Sequence, residues 1–186
     1  YDVLADFIRK NNYKPQSSPK TFFVMSYPLN ESVRQLLSSV YGSNVFARYS
    51  NSENGFLAHQ FSMRHSSYLI NKASYHIELL KFNSDQPVQK GEPGRIIITD
   101  LHNEAIPFIR YDTGDVGTND MIETKDGKVS VFKTIGGRKL DFIQNTNGDL
   151  ISPHTIDYAV RNTKGLIQFQ LVQRSKIEYI LKLIIV

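Results

Sequence analysis

Three short groups of residues in this chain have the side chains to do chemistry together. Tyr49-Ser50-Asn51-Ser52-Glu53 offers an aromatic face, two small hydroxyls and a carboxylate at the end of an apolar run. Pro107-Phe108-Ile109-Arg110-Tyr111-Asp112-Thr113-Gly114-Asp115 is a strand-like run ending in a cation, an aromatic and a turn signal that presents Asp115. Arg138 follows Gly136 and Gly137, which permit unusual backbone angles. A fixed carboxylate can accept hydrogen bonds from a sugar diol. A hard divalent cation such as magnesium favours oxygen ligands and usually takes one or two protein carboxylates. Phosphates require cations, and a base requires an aromatic face. Each residue also has a plainer reading: Tyr49 as core, Glu53 as a solvated loop acid, Thr113-Gly114-Asp115 as an ordinary turn, and Arg138 as a surface ion-pair partner.

The periodicity predicts the elements that would position these groups. Leu4, Phe7 and Ile8 stand at helical spacing, so residues 2–11 read as a helix. Residues 21–27 read as a buried strand. Asn30 is a good N-cap for a helix carrying Val33, Leu36, Leu37 and Val40, stopped by Gly42. Residues 44–49 form the next strand, and this strand–helix–strand order predicts a parallel pair in an α/β layer. Beyond Glu53 the chain becomes β-rich, with strands expected at 75–82, 95–101 and 105–111. Asp126-Gly127 marks a hairpin between 121–125 and 128–133. Ser152-Pro153 opens a helix with Ile156, Ala159 and Val160 on its apolar side. Residues 166–174 and 177–186 read as two strands. A domain boundary is expected near 137–141, dividing 1–137 from 138–186.

These motifs together resemble the adenylate-forming (acyl-CoA synthetase) superfamily. There, Tyr-Gly-x-Thr-Glu, Tyr-x-Thr-Gly-Asp and Gly-Arg-x-Asp-Asp follow one another. Here they stand in that order as Tyr49-Ser50-Asn51-Ser52-Glu53, Tyr111-Asp112-Thr113-Gly114-Asp115 and Gly137-Arg138-Lys139-Leu140-Asp141. The look is nearest to the phenylacetate–CoA ligase-like group that includes capsule-biosynthesis CapK proteins. The resemblance implies an α/β fold with a β-rich part: the later portion of a large nucleotide-binding domain, then the hinge and start of a small α+β C-terminal domain. It implies ATP/AMP and Mg2+, and coenzyme A as a co-substrate. Tyr49 would pack on adenine, Ser52 would touch phosphate or the acyl carboxylate, and Glu53 would hold the metal. Asp115 would bind the ribose diol, and Arg138 would contact ribose or phosphate near the hinge. The partners implied are a carboxylic acid and an acyl acceptor: coenzyme A, or a capsular polysaccharide or other acceptor.

Three positions depart from the pattern. Ser50 stands where the family has Gly, Ser52 where it has Thr, keeping the hydroxyl, and Leu140 where it usually has a hinge Asp. Ser50 and Leu140 motivate an alternative, a degenerate non-catalytic homologue acting as a nucleotide-binding or interaction protein. The resemblance further implies a phosphate loop upstream of Tyr1 and a catalytic Lys beyond Val186. With a chain that opens without Met and stops inside an apolar run, the expectation is a piece of a longer protein that is inactive alone.

Composition narrows the classes. The 186 residues are 40% hydrophobic and 22% charged, as in ordinary globular proteins. The net charge of +4 is spread along the chain without a dense basic block, so nucleic acid is not an expected partner. With no cysteine, disulfides, thiolate metal sites and cysteine nucleophiles are excluded. His59, His65, His76, His102 and His154 lack metal-ligand spacing. No apolar stretch reaches the roughly 18–20 residues of a membrane span, and the expected location is cytoplasmic.

Overall fold

The computed structural model describes all residues except 27, 28, 64, 126, 139–141, 152 and 162. Near the start, helix α1 (Asp2–Asn11) and helix α2 (Glu31–Tyr41) flank strand β1 (Thr21–Val24), and β2 (Asn44–Asn51) follows. The Asn30 side chain accepts from the Ser32 backbone N–H at 2.9 Å, and Gly42 closes α2 at φ 64°. Such a cap contributes about 1 kcal/mol. As expected, β1 pairs with β2 in parallel, from Thr21 opposite Asn44 to Val24 opposite Ala47. Ala5, Ile8, Val24, Val33, Leu37 and Val45 form one core between the helices and these strands. Leu37 is fully buried, which stabilises by roughly 1.5–3 kcal/mol. Arg34 is buried on α2; its guanidinium donates to the Val45 carbonyl and, at 2.7 Å, to Gln60 Oε1. That contact anchors the helix to the sheet.

The chain then builds antiparallel structure through β3 (Gly55–Gln60), β4 (Tyr68–Ile70), β5 (Tyr75–Leu80), β6 (Gly94–Asp100), β7 (Tyr111–Thr124) and β8 (Gly127–Arg138). All join β1 and β2 in one sheet of order β1-β2-β3-β4-β8-β7-β6-β5. A second core of Tyr49, Leu57, Ala58, Tyr75, Ile96, Ile98 and Phe132 lies along this sheet. Beyond it, β9 (Ile143–Gln144) pairs with β10 (Leu150–Ile151). Helix α3 (Pro153–Arg161) follows, and β11 (Leu166–Gln173) pairs antiparallel with β12 (Tyr179–Ile185). Among the described residues, no helix is long and apolar enough to cross a membrane.

Two expectations need correction. The strand expected at 105–111 is a loop over residues 101–110. Asp100 Oδ1 accepts from the backbone N–H groups of His102 and Asn103, and Asn103 Oδ1 accepts from that of Ile106. Arg110 takes φ 51°, outside any strand conformation. These side-chain bonds replace a ladder, as short polar side chains do in turns. The apolar appearance of the segment is not burial: Ile106 and Ile109 are exposed. Second, Thr113-Gly114-Asp115 is not a turn between strands but lies inside β7. Asp126 of the hairpin signal, Lys139-Leu140-Asp141 at the proposed boundary and the Ser152 cap lie outside the described residues.

Candidate functional site

The carboxylate of Asp115 is displayed by a bulge. Along the β6–β7 ladder, Arg95 pairs with Val116 and Ile97 with Asp112, so β7 carries two extra residues there. Gly114 makes the bulge possible at φ 74°. Thr113 locks it: the buried hydroxyl donates to the Ile96 carbonyl at 3.0 Å and accepts the Asp115 backbone N–H at 3.1 Å. The Asp112 carboxylate accepts the Gly114 N–H at 2.9 Å. On the other side, Asp115 pairs with Arg138 of β8, and the ladder shifts again before Gly117. The glycine-rich end of β8 therefore faces the bulge of β7 directly.

Asp115 ties two of the sequence groups to itself. The Tyr49 hydroxyl donates to Asp115 Oδ2 at 2.8 Å. Arg138 Nε lies 3.4 Å from Asp115 Oδ1, and Arg138 Nη1 donates to the Thr113 carbonyl at 3.2 Å. The Asp115 side chain is 15% exposed and that of Arg138 is 63% exposed, so the ion pair sits at the rim of a recess. The Tyr49 ring packs edge-on against Phe132, with centroids 6.1 Å apart, inside the sheet core. Burial first, then the Asp115 charge, raises the Tyr49 hydroxyl far above its usual range, so it remains a proton donor.

Glu53 is held from a different direction. It lies in the turn between β2 and β3, exposed, and its Oε1 accepts the Tyr111 hydroxyl at 3.3 Å. Burial, followed by the Glu53 charge, raises the Tyr111 hydroxyl. The turn is braced by Asn51 Oδ1, which accepts the Asn54 N–H at 2.7 Å, and by the Tyr75 hydroxyl on the Asn54 carbonyl. The spacing of the sequence motifs does not reveal Tyr111 as the partner of Glu53. Thr113, which orients Asp115, was likewise not singled out. The available signal was their position inside the Tyr111–Asp115 motif.

All five sequence-predicted residues, Tyr49, Ser52, Glu53, Asp115 and Arg138, border one cavity of about 1210 Å³. β1 pairs only as far as Ala47, so the end of β2 runs beyond its neighbour, and residues 47–53 line the cavity. The opposite wall includes Arg174 and Lys176 from the β11–β12 connection. Four cations (Arg48, Arg138, Arg174 and Lys176) thus surround a space that also presents the carboxylates of Glu53 and Asp115. Such a wall favours a ligand with negative charge and hydroxyl donors. Among the described residues, no group of three or more acidic or histidine side chains is placed to hold a metal by itself. Glu53 has one oxygen beyond its Tyr111 contact. A single carboxylate fits magnesium, which commonly completes its shell with water and ligand phosphates.

No known family profile matches the chain, and no curated protein matches it. Solved structures do. The chain is similar to 2-hydroxyisobutyryl-CoA ligase in the postadenylation state in complex with 2-HIB-AMP, with a TM-score of 0.76 at 22% identity, over 97% of this chain and 40% of that one. It is similar to the anthranilate CoA ligase AuaEII in complex with anthranoyl-AMP, with a TM-score of 0.60 at 14% identity, over 89% and 34% of the two chains. It is also similar to apo MatB from Rhodopseudomonas palustris, with a TM-score of 0.57 at 16% identity, over 89% and 35%. The chain therefore spans about two fifths, or less, of the length of these proteins. At such identities the likeness is one of fold: the large mixed sheet with its α/β extension matches part of the fold of these ligases.

Proposed function

We propose that this chain is the nucleotide-handling part of an ATP-dependent ligase that activates a carboxylic acid as its acyl-adenylate. The observation that supports it best is the convergence of the three motifs: Tyr49 and Arg138 both engage Asp115, and Glu53 and Ser52 border the same cavity. Tyr49 and Arg138 occupy one lone-pair direction on each Asp115 oxygen. A second direction on each remains, enough to accept both hydroxyls of a ribose. On this reading adenine meets only the small part of Tyr49 left at the cavity, since the residue is 9% exposed and its ring lies in the sheet core, and the Ser52 hydroxyl meets phosphate or the acyl carboxylate. Arg138, Arg174 and Lys176 balance phosphate charge. Glu53 would hold magnesium, which neutralises phosphate charge when bound.

In the proposed reaction a carboxylate oxygen attacks the α-phosphorus, and pyrophosphate leaves. An acceptor then attacks the acyl carbon, and AMP leaves. This chain's residues contribute by holding the adenosine still and lowering the repulsion between acid and phosphates. On this reading the chain divides near 137–138, and the acceptor is coenzyme A or a surface-polysaccharide group, as in the phenylacetate–CoA ligase-like and CapK-like proteins. Acid-dependent exchange of labelled pyrophosphate into ATP by the intact protein tests the proposal across aryl and alkyl acids. Exchange with at least one acid is the expected result. A folded protein that exchanges with none refutes it.

A further inference from the structure

The bulge that aims Asp115 is fastened on two sides, and only one of them belongs to the cavity scheme. Gly114, at φ 74°, is its loosest link, because glycine has the most backbone freedom to lose. Thr113 ties the bulge to the Ile96 carbonyl. Asp112 ties it from the other side: Oδ1 accepts the Gly114 N–H at 2.9 Å. The second oxygen, Oδ2, accepts from Arg95 Nη1 of β6 at 2.6 Å. Neither Asp112 nor Arg95 borders the cavity.

Arg95 is itself pinned. Its side chain is 16% exposed, against 42% for Asp112. Nε donates to the Lys81 carbonyl at 3.0 Å. Nη2 donates to the Ser84 carbonyl at 3.3 Å and to Asp85 Oδ1 at 2.9 Å. These contacts bind the guanidinium to the turn that follows β5. Asp85 Oδ2 also meets Arg110 Nη1 at 3.4 Å, and Arg110 Nε meets Glu78 Oε2 at 3.1 Å. An isolated exposed ion pair does little, but a planar guanidinium fixed within a network of charges holds its partner in one direction. With one oxygen set on that cation, Asp112 turns the other to the Gly114 N–H.

We propose that Arg95 is a positioning residue for Asp115. Acting through Asp112 and the Gly114 N–H, it fixes the peptide plane ahead of Asp115, and with it the direction of the carboxylate that meets the ribose diol. The ribose end of this inference rests on the adenylation reading above; the clasp from Arg95 to the bulge does not. Arg95 touches no nucleotide in this scheme. Its effect lies in how well the site tells a ribose diol from a sugar without one. A site built to hydrogen-bond a hydroxyl discriminates strongly against the analogue that lacks it.

Two measurements on the intact protein separate the clasp from the ribose assignment. Calorimetric titration with AMP and with 2′,3′-dideoxy-AMP gives a diol preference in which adenine and phosphate cancel. The wild type should prefer AMP at least about tenfold, the gain from even one hydrogen bond to a charged group. Arg95→Met should cut that preference by about twofold to tenfold, the span of one ordinary hydrogen bond. Asp112→Asn leaves the Arg95 contacts to residues 81–85 in place. Whichever way its amide turns, it serves Arg95 or Gly114 but not both, so it should cut the preference as well. It decides alone where Arg95→Met does not fold. Hydrogen exchange at the Gly114 and Asp115 amides, without nucleotide, reads the clasp directly. Both variants should exchange severalfold faster there, with exchange in α2 unchanged. Unchanged exchange in the variants overturns the clasp. Faster exchange with an unchanged diol preference overturns the positioning role. A wild type that binds the two nucleotides equally, beside variants that exchange faster, removes the ribose assignment and leaves the clasp standing.

Discussion

Replacing Asp115 with Asn perturbs the centre of the site with little change in shape. One amide oxygen can still accept the Tyr49 hydroxyl, now bonded at 2.8 Å to a carboxylate. The amide nitrogen cannot serve Arg138, whose Nε lies 3.4 Å from the other oxygen. Exchanging a charged acceptor for a neutral one lowers a hydrogen bond from about 1.5–3 to about 0.5–1.5 kcal/mol, a loss near 1 kcal/mol. The Arg138 pair adds about 0–1 kcal/mol, since the arginine is mostly exposed and solvent screens it. Asp115→Asn should therefore lower unfolding stability by only about 1–2 kcal/mol in urea denaturation. Nucleotide binding should suffer more. Two charge-assisted bonds to ribose become at most one neutral bond, a loss of about 2–4 kcal/mol, or roughly 30- to 700-fold in AMP affinity. Isothermal titration of the intact protein with AMP, beside the denaturation curve, separates the two effects. Unchanged AMP affinity with the predicted stability loss would make Asp115 a structural partner of Tyr49 and refute the ribose assignment.

Gly114→Ala should cost about 1–2 kcal/mol of stability, because Gly114 sits at φ 74° and L residues are strained there. The added Cβ would meet Arg138 Nη1 only in ordinary contact at 3.4 Å, so the cost is one of backbone conformation; a wild-type denaturation midpoint would contradict this. His59 gives a pH dependence. Its proton affinity is lowered from the ordinary value of 6.5, so the unfolded chain binds the proton more readily than the folded one. Its contribution to stability is complete above pH 6.5 and declines as pH falls through the lowered folded value. Stability profiles of wild type and His59→Gln should diverge as the pH is raised from that acid range towards neutrality, and parallel profiles would contradict the prediction.

The sequence made local features legible and long-range ones obscure. The Asn30 cap and the Gly42 stop are read from neighbouring residues, so α2 was predictable nearly to the residue. The parallel β1–β2 pair followed from the strand–helix–strand order. The loop at 101–110 was hidden because Ile106, Phe108 and Ile109 imitate a strand, whereas the determinants are the side-chain bonds of Asp100 and Asn103. The carboxylate motif was visible, but its setting inside β7 was not. A bulge depends on the register against β6 and β8, which no local pattern encodes. The Tyr111–Glu53 contact spans 58 positions and exists only because the sheet folds. Likewise, Arg48 looked like an ordinary strand residue until the ladder set it opposite His59.

Adenylation makes a distinctive demand on atoms: an oxygen of the acid must become an oxygen of AMP. The intact protein can be given ATP, an acceptor and an acid labelled with heavy oxygen in its carboxylate, and the products weighed by mass spectrometry. The account predicts one heavy oxygen in the AMP released and none in pyrophosphate. Heavy oxygen in inorganic phosphate, or turnover that leaves AMP unlabelled, would contradict it.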